Sequence, residues 1–196
     1  MDVISAFNGI SAAFGLSSSA GLNAYIPLLL VALAARFPLH DPLVNLAEPY
    51  NLISNPWVIG LLTILLFIEM LVDKVPAADT VNDVIHTFIR PAAGAFLFAA
   101  NANIITDIHP LIAAGAGLLV AGSVHTTKGL VRPAVTATTA GTGNWLVSLI
   151  EDIFAIFLSI LAIFIPILGV IFGIIFIIAI WRLYRRRQNR KATSFA

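Results

Sequence analysis

The chain contains no cysteine, which excludes disulfides, thiolate nucleophiles and sulfur-ligated metals and leaves helix packing to supply stability. Charge is also scarce: 11% of the 196 residues are Asp, Glu, Lys or Arg, and the formal net charge of +1 predicts no nucleic-acid partner. Catalytic signatures are missing too. There is no Gly-x-Ser-x-Gly, His-Glu-x-x-His, phosphate-binding loop or Gly-x-Gly-x-x-Gly, so an enzyme is the weaker expectation and no cofactor is implied. The start at Met1, Asp2, Val3 lacks the basic stretch and cleavage site of a removable signal peptide.

Apolar residues fill the gap. They make up 59% of the chain, with a mean hydropathy of +0.97, more than a soluble domain of this size buries. Runs long enough for a hydrocarbon core of about 30 Å occur at 21–37, 56–72, 91–105, 110–124, 145–163 and 168–181. The last two are parted by Pro166, which suggests a tight hairpin at 165–169. A weaker stretch at 3–16, interrupted by Ser17, Ser18 and Ser19, reads as a re-entrant or interfacial helix. Polar residues between 79 and 90 recur with a helical period, predicting an amphipathic helix at the interface or folded into the bundle. The expected fold is therefore all-α, a polytopic membrane bundle of about six crossings. It would comprise one transmembrane domain at 1–184 and a basic tail at 185–196.

Basic residues set the expected orientation, because short loops rich in Lys and Arg stay in the cytoplasm. Arg182, Arg185, Arg186, Arg187, Arg190 and Lys191 place the C-terminus there, where the run can also grip anionic lipid heads. Six crossings then put Lys74, Arg90, Lys128, Arg132 and the N-terminus on the same face, leaving only Arg36 in disagreement.

The charges gather near that face. Glu69, Asp73 and Lys74 close the second apolar run; His125, Lys128 and Arg132 follow the fourth. Asn144, Ser148, Glu151 and Asp152 form a stripe reaching about 10 Å along the fifth. A charge at mid-membrane costs about 2.5–3.5 kcal/mol on insertion scales, so Glu151 and Asp152 should point inward. Lys128 and Arg132 are the expected partners of Glu151 and Asp152, and Lys74 or His125 that of Glu69. For Lys74, Arg90 and Arg132 the blander reading, snorkelling into the headgroup zone, is preferred. Glu69, Asp73, Asp79 and Asp83 could also hold a divalent cation, though acids at such spacing are common. Finally, 18–25 resembles 138–145, as though two broken helices occupied matching places in a parallel duplication.

Together, Gly21-Leu22-Asn23-Ala24-Tyr25-Ile26-Pro27, Glu69 with Asp73-Lys74-Val75-Pro76 and Asp79, His125-Thr126-Thr127-Lys128 with Arg132, and Gly143-Asn144 with Ser148, Glu151-Asp152 and Pro166 resemble a bacterial membrane family called domain of unknown function 4126. The resemblance spans almost the whole chain and supports this choice of residues, although the family often carries Arg where this chain has Asn23. It implies location in a bacterial membrane, taken here as the inner membrane, and the basic residues above put both termini in the cytoplasm.

The leading functional expectation is a transporter or channel-like protein with a polar cavity open to the cytoplasm. Glu69, Asp73, Lys74, His125, Lys128, Asn144, Ser148, Glu151 and Asp152 would line it, supported by Asn23, Asp79 and Arg132. Its partners would be membrane lipids and a small polar solute, an ion or a lipid headgroup, with self-association into a homo-oligomer left open. The alternatives are a membrane-embedded lipid-modifying or metal-dependent enzyme, and a non-transporting scaffold or lipid-binding subunit. A water-filled path would favour transport, a bound metal the enzyme, and a dry, fully paired charge lattice the scaffold.

Overall fold

The computed structural model describes residues 3–37, 44, 46–72, 76–102, 108–139 and 143–166, with isolated positions as far as 182. Among the described residues the chain is all-helical, without strands. Its helices are α1 (Val3–Leu22), α2 (Tyr25–Arg36), α3 (Pro56–Val72), α4 (Pro76–Ala102), α5 (Pro110–Thr139) and α6 (Asn144–Phe164), with a short 3-10 turn at Tyr50–Ser54 before α3. Three of them begin on proline, which costs nothing at a first helical position because that N–H has no partner within the helix. At α3 the preceding Asn55 adds a cap, its Oδ1 accepting from the Trp57 N–H at 2.9 Å.

Among the described residues two helices, α5 and α6, are long and apolar enough to cross a membrane, whereas α2 and α3 are shorter apolar helices. At 12 residues, α2 rises only about 18 Å and does not reach across a hydrocarbon core unaided. The expected last crossing at 168–181 and the basic tail lie almost entirely outside the described residues.

The bounds of the N-terminal helix are corrected: instead of ending before the serines, α1 runs 20 residues straight through them and packs in the centre against α4, α5 and α6. The serines do not break it because each hydroxyl finds an acceptor. Ser18 bonds back to the Phe14 carbonyl, Ser17 reaches the Gly94 carbonyl of α4 at 2.9 Å, and Ser19 reaches the Ala155 carbonyl of α6 at 2.8 Å. Small side chains on α1 thus exchange bulk for close approach.

Direction follows from the order of contacts. Along α1, Ala13 clusters with Phe98 and Ala99 while Ser17 meets Gly94, so α1 runs against α4. Along α2, the Tyr25 ring packs on His86 and Leu28 lies beside Ala93 and Phe96, so α2 runs with α4. The chain therefore turns back at Asn23 and Ala24, and α1 and α2 form an antiparallel pair whose tip is buried. Val3 consequently lies at the end of the bundle away from that tip.

The segment at 79–90 is not a separate amphipathic helix. It is the first half of α4, which continues through Pro91 for 27 residues. Its polar face turns inward, burying His86 and Arg90, and its apolar face turns outward, leaving Val84, Ile85 and Phe88 exposed. The molecule repeats this inversion: Trp57, Phe67, Phe88 and Leu119 are each more than 60% exposed, while Asn23, Glu69 and Arg90 are at most 2% exposed. Water would penalise both halves of that arrangement, and hydrocarbon around the bundle penalises neither.

Glycines let the central helices touch. A methyl group at Gly94 would overlap Ala121 and the Gly117 carbonyl, one at Gly117 would overlap the Gly94 carbonyl, and one at Gly21 would overlap the Ala121 carbonyl and Val124. These contacts press α1, α4 and α5 together at backbone distance.

Candidate functional site

The site is built around the turn between α1 and α2. In an unbroken helix the Tyr25 and Ile26 N–H groups would bond to the carbonyls of Gly21 and Leu22. Here both donate to Asn23 Oδ1, at 3.0 and 3.2 Å. The Leu22 carbonyl, left over at the end of α1, accepts instead from Lys128 Nζ of α5 at 3.2 Å. Asn23 and Lys128 thus replace the hydrogen bonds that the turn removes. A cation at this place also suits the negative end of the α1 dipole.

Acids from α6 complete the arrangement. Glu151 Oε2 lies 2.7 Å from Lys128 Nζ and 3.4 Å from Arg132 Nη2, and Asn23 Nδ2 donates to Asp152 Oδ1 at 2.9 Å. The expected partners of Glu151 are therefore confirmed, but both bases converge on it while Asp152 Oδ1 meets Asn23. Ser148 is buried one turn before Asp152. Asn144 sits at the start of α6, where its Oδ1 accepts from Thr136, and takes no direct part in the cluster.

A second group adjoins the first on the α3 and α4 side. Glu69 Oε1 accepts from Arg90 Nη2 at 3.1 Å and lies 3.5 Å from His86 Nε2. Both partners come from α4, one turn apart on one face; of the partners expected for Glu69, Lys74 lies outside the described residues and His125 meets Arg90. Arg90 is therefore no snorkelling residue, and neither is Arg132, which is 6% exposed. Their guanidinium groups pair with acids inside the bundle, which removes any need to seek the headgroups. His125 belongs to this network one step further on, Nδ1 lying 3.1 Å from Arg90 Nη1 and Nε2 3.2 Å from Thr87 Oγ1. Because guanidinium can only donate, a neutral His125 accepts at Nδ1 and carries its proton on Nε2. Since His125 and Lys128 are three residues apart on α5, the two groups form one polar tract fed by five helices and the turn.

Asp73 and Lys74 lie outside the described residues, as do the side chains of Asp79 and Asp83. Among the described residues, no three His, Asp or Glu side chains are close enough to hold a metal ion. The expected likeness of 18–25 to 138–145 falls on two helix junctions, α1 to α2 and α5 to α6, with 140–142 outside the described residues.

The sequence did not single out His86 as a site residue, nor Tyr25, whose ring stacks edge-on against it at 5.5 Å. It also missed Ser19 and Ser159, which share a 2.7 Å hydrogen bond just beyond the turn. An inward-facing stripe on the 79–90 segment was the available signal for His86. The Leu22 carbonyl had none, because a backbone acceptor leaves no mark on residue type.

Apart from this tract, an apolar groove of about 360 Å³ opens between α2, α3 and α4, lined by Leu28, Leu52, Ile53, Val58, Leu62, Ala93 and Phe96.

A family profile described as Domain of unknown function (DUF4126) matches residues 10–186, so the chain belongs to that family. No curated protein and no solved structure matches it.

Proposed function

We propose that this member of the DUF4126 family is an integral membrane transport protein that moves a small polar solute or ion past the α1–α2 turn. One observation carries the reading: two helix ends meet inside the bundle and face an acid–base cluster contributed by the surrounding helices. Opposed half-helix ends present partial charges and free backbone groups to a ligand, the construction of many transporter sites. Irregular backbone at such depth is tolerated only where protein or a polar cavity satisfies it.

In this reading α3 to α6 and the 168–181 stretch cross a bacterial inner membrane, while α1 and α2 enter and return together. With the basic-rich end in the cytoplasm, Val3 lies on the opposite side, so the termini no longer share a face as the six-crossing reading had them. The close ion pairs at Glu69 and Glu151 act as a closed gate, and solute passes when they exchange partners.

A non-transporting scaffold is the second reading, supported by the burial and mutual pairing of the same charges. Thiol accessibility separates the two, aided by the absence of native cysteine. Single cysteines replacing Ser148 and Ser159 lie on either side of the turn. In reconstituted vesicles, transport requires a water-borne thiol reagent to reach Ser148→Cys from one side and Ser159→Cys from the other. If neither cysteine reacts from either side while both proteins are folded, the transport reading fails and the scaffold stands.

A further inference from the structure

The Lys128 ammonium is held in an unusual way for a lysine. It is buried, it donates to a backbone carbonyl at the end of a helix that stops inside the bundle, and it pairs with the Glu151 carboxylate at 2.7 Å. A carbonyl oxygen at a half-helix C-terminus together with a carboxylate is the donor set that broken membrane helices offer to Na⁺ or a similar monovalent cation. The helix end supplies partial negative charge, the carboxylate supplies a full one, and neither donates a hydrogen bond that would repel a cation.

We infer that the α1–α2 turn is a monovalent-cation site whose resident cation is the Lys128 ammonium, tethered to α5 in place of a free Na⁺ or K⁺. Three features support the assignment. Asn23 Oδ1 takes up the Tyr25 and Ile26 N–H groups, so the Leu22 carbonyl is released from the helix and available to a cation. Arg132 stands 3.4 Å from the same Glu151 oxygen, against 2.7 Å for Lys128, so it adds positive charge beside the carboxylate while Lys128 makes the closer contact. Asp152, adjacent to Glu151 on α6, is joined through Asn23 to the turn itself, so the acid pair and the broken backbone form one unit. The consequence for the protein is that an external alkali cation has no vacancy there, and movement of solute does not require Na⁺ or K⁺ at this position. A solute carrying a primary ammonium group could compete for the same two oxygens.

This inference rests on the transport reading for its place in coupling, but its test does not. Lys128→Ala removes the tethered cation and leaves space for a free one. In purified protein the melting temperature should fall by roughly 6–20 °C, the cost of removing one partner of a buried pair. Methylammonium chloride should restore at least half of that loss in a saturable manner, as expected for a ligand that binds only the folded state. Tetramethylammonium chloride at equal ionic strength, which is bulkier and has no N–H, should restore none. Wild-type protein should melt at the same temperature in both salts.

Should the alanine variant not accumulate, Lys128→Cys carries the same test, because it would be the sole cysteine of the chain. Modification with a thiol reagent that appends an aminoethyl group should raise its melting temperature, and a neutral methylthio group should not. Loss of stability that no small cation or appended ammonium restores, or no loss on removing Lys128, overturns the inference. Cation rescue in a protein whose Ser148→Cys and Ser159→Cys forms never react would keep the cation site and discard transport. Two-sided reactivity without rescue would do the reverse.

Discussion

Two charge groups lie side by side in this bundle, and they are built on different principles. The group at Glu69 is described by contacts between side chains: a carboxylate on α3 meets a guanidinium and an imidazole on α4, and a second imidazole on α5 extends the chain. The group at Glu151 includes main chain, because Lys128 and Asn23 bond to backbone atoms that the α1–α2 turn has exposed. A pair of buried side chains can be exchanged for apolar ones of similar volume with little net effect. Backbone groups cannot be mutated away, so whatever satisfies them must stay.

Mutations sharpen this contrast. The largest effect is expected from Lys128→Met combined with Glu151→Met, which removes the donor of the Leu22 carbonyl and the carboxylate beside Arg132. It should lower stability by about 3–5 kcal/mol, measured as thermal or denaturant unfolding in detergent. Asn23→Ala comes next at about 2 kcal/mol, because it uncaps α2 and removes the amide donor to Asp152. Ser19→Ala should cost about 1 kcal/mol through its bonds to Ala155 and Ser159. Glu69→Met with Arg90→Met is the counterpart of the first variant and should stay within about 1 kcal/mol of the parent, whereas Arg90→Met alone should be clearly worse than the double change. If the two double variants fall equally, the distinction between side-chain and main-chain groups is wrong. The smallest structural effect belongs to Asp152→Asn, which keeps an Oδ1 acceptor for Asn23. Under the transport reading it should nevertheless abolish flux at unchanged melting temperature, and full flux in vesicles would remove Asp152 from the site.

The sequence disclosed composition and helical period well and direction poorly. The polar spacing at 79–90 correctly marked a helix, yet sequence could not say which face met protein. A headgroup-facing reading therefore attached to Arg90, a residue the fold buries against Glu69. Glu151 was read as inward-facing because charge in hydrocarbon is costly, and that reasoning transferred directly to the structure. Three consecutive serines were read as an interruption, since their hydroxyls compete with the backbone in water. Inside the bundle those hydroxyls found acceptors on α1, α4 and α6, and the helix continued. The true interruption came a turn later, at Asn23, where one side-chain oxygen could hold two amide hydrogens. Asn ahead of a helix is a local capping signal, but the arrival of Lys128 and Asp152 at the same turn depends on distant neighbours that no local pattern encodes.

The glycine contacts among α1, α4 and α5 have a mechanical corollary. Backbones pressed together at Gly21, Gly94 and Gly117 leave no room to slide, so these three helices behave as a single stator. The ties from that stator to α6 include Ser19 to Ser159, Asn23 to Asp152 and Lys128 to Glu151, and water can replace each of them bond for bond. Under the transport reading proposed above, α6 is therefore the helix expected to shift against this stator, exchanging those hydrogen bonds with water as it moves.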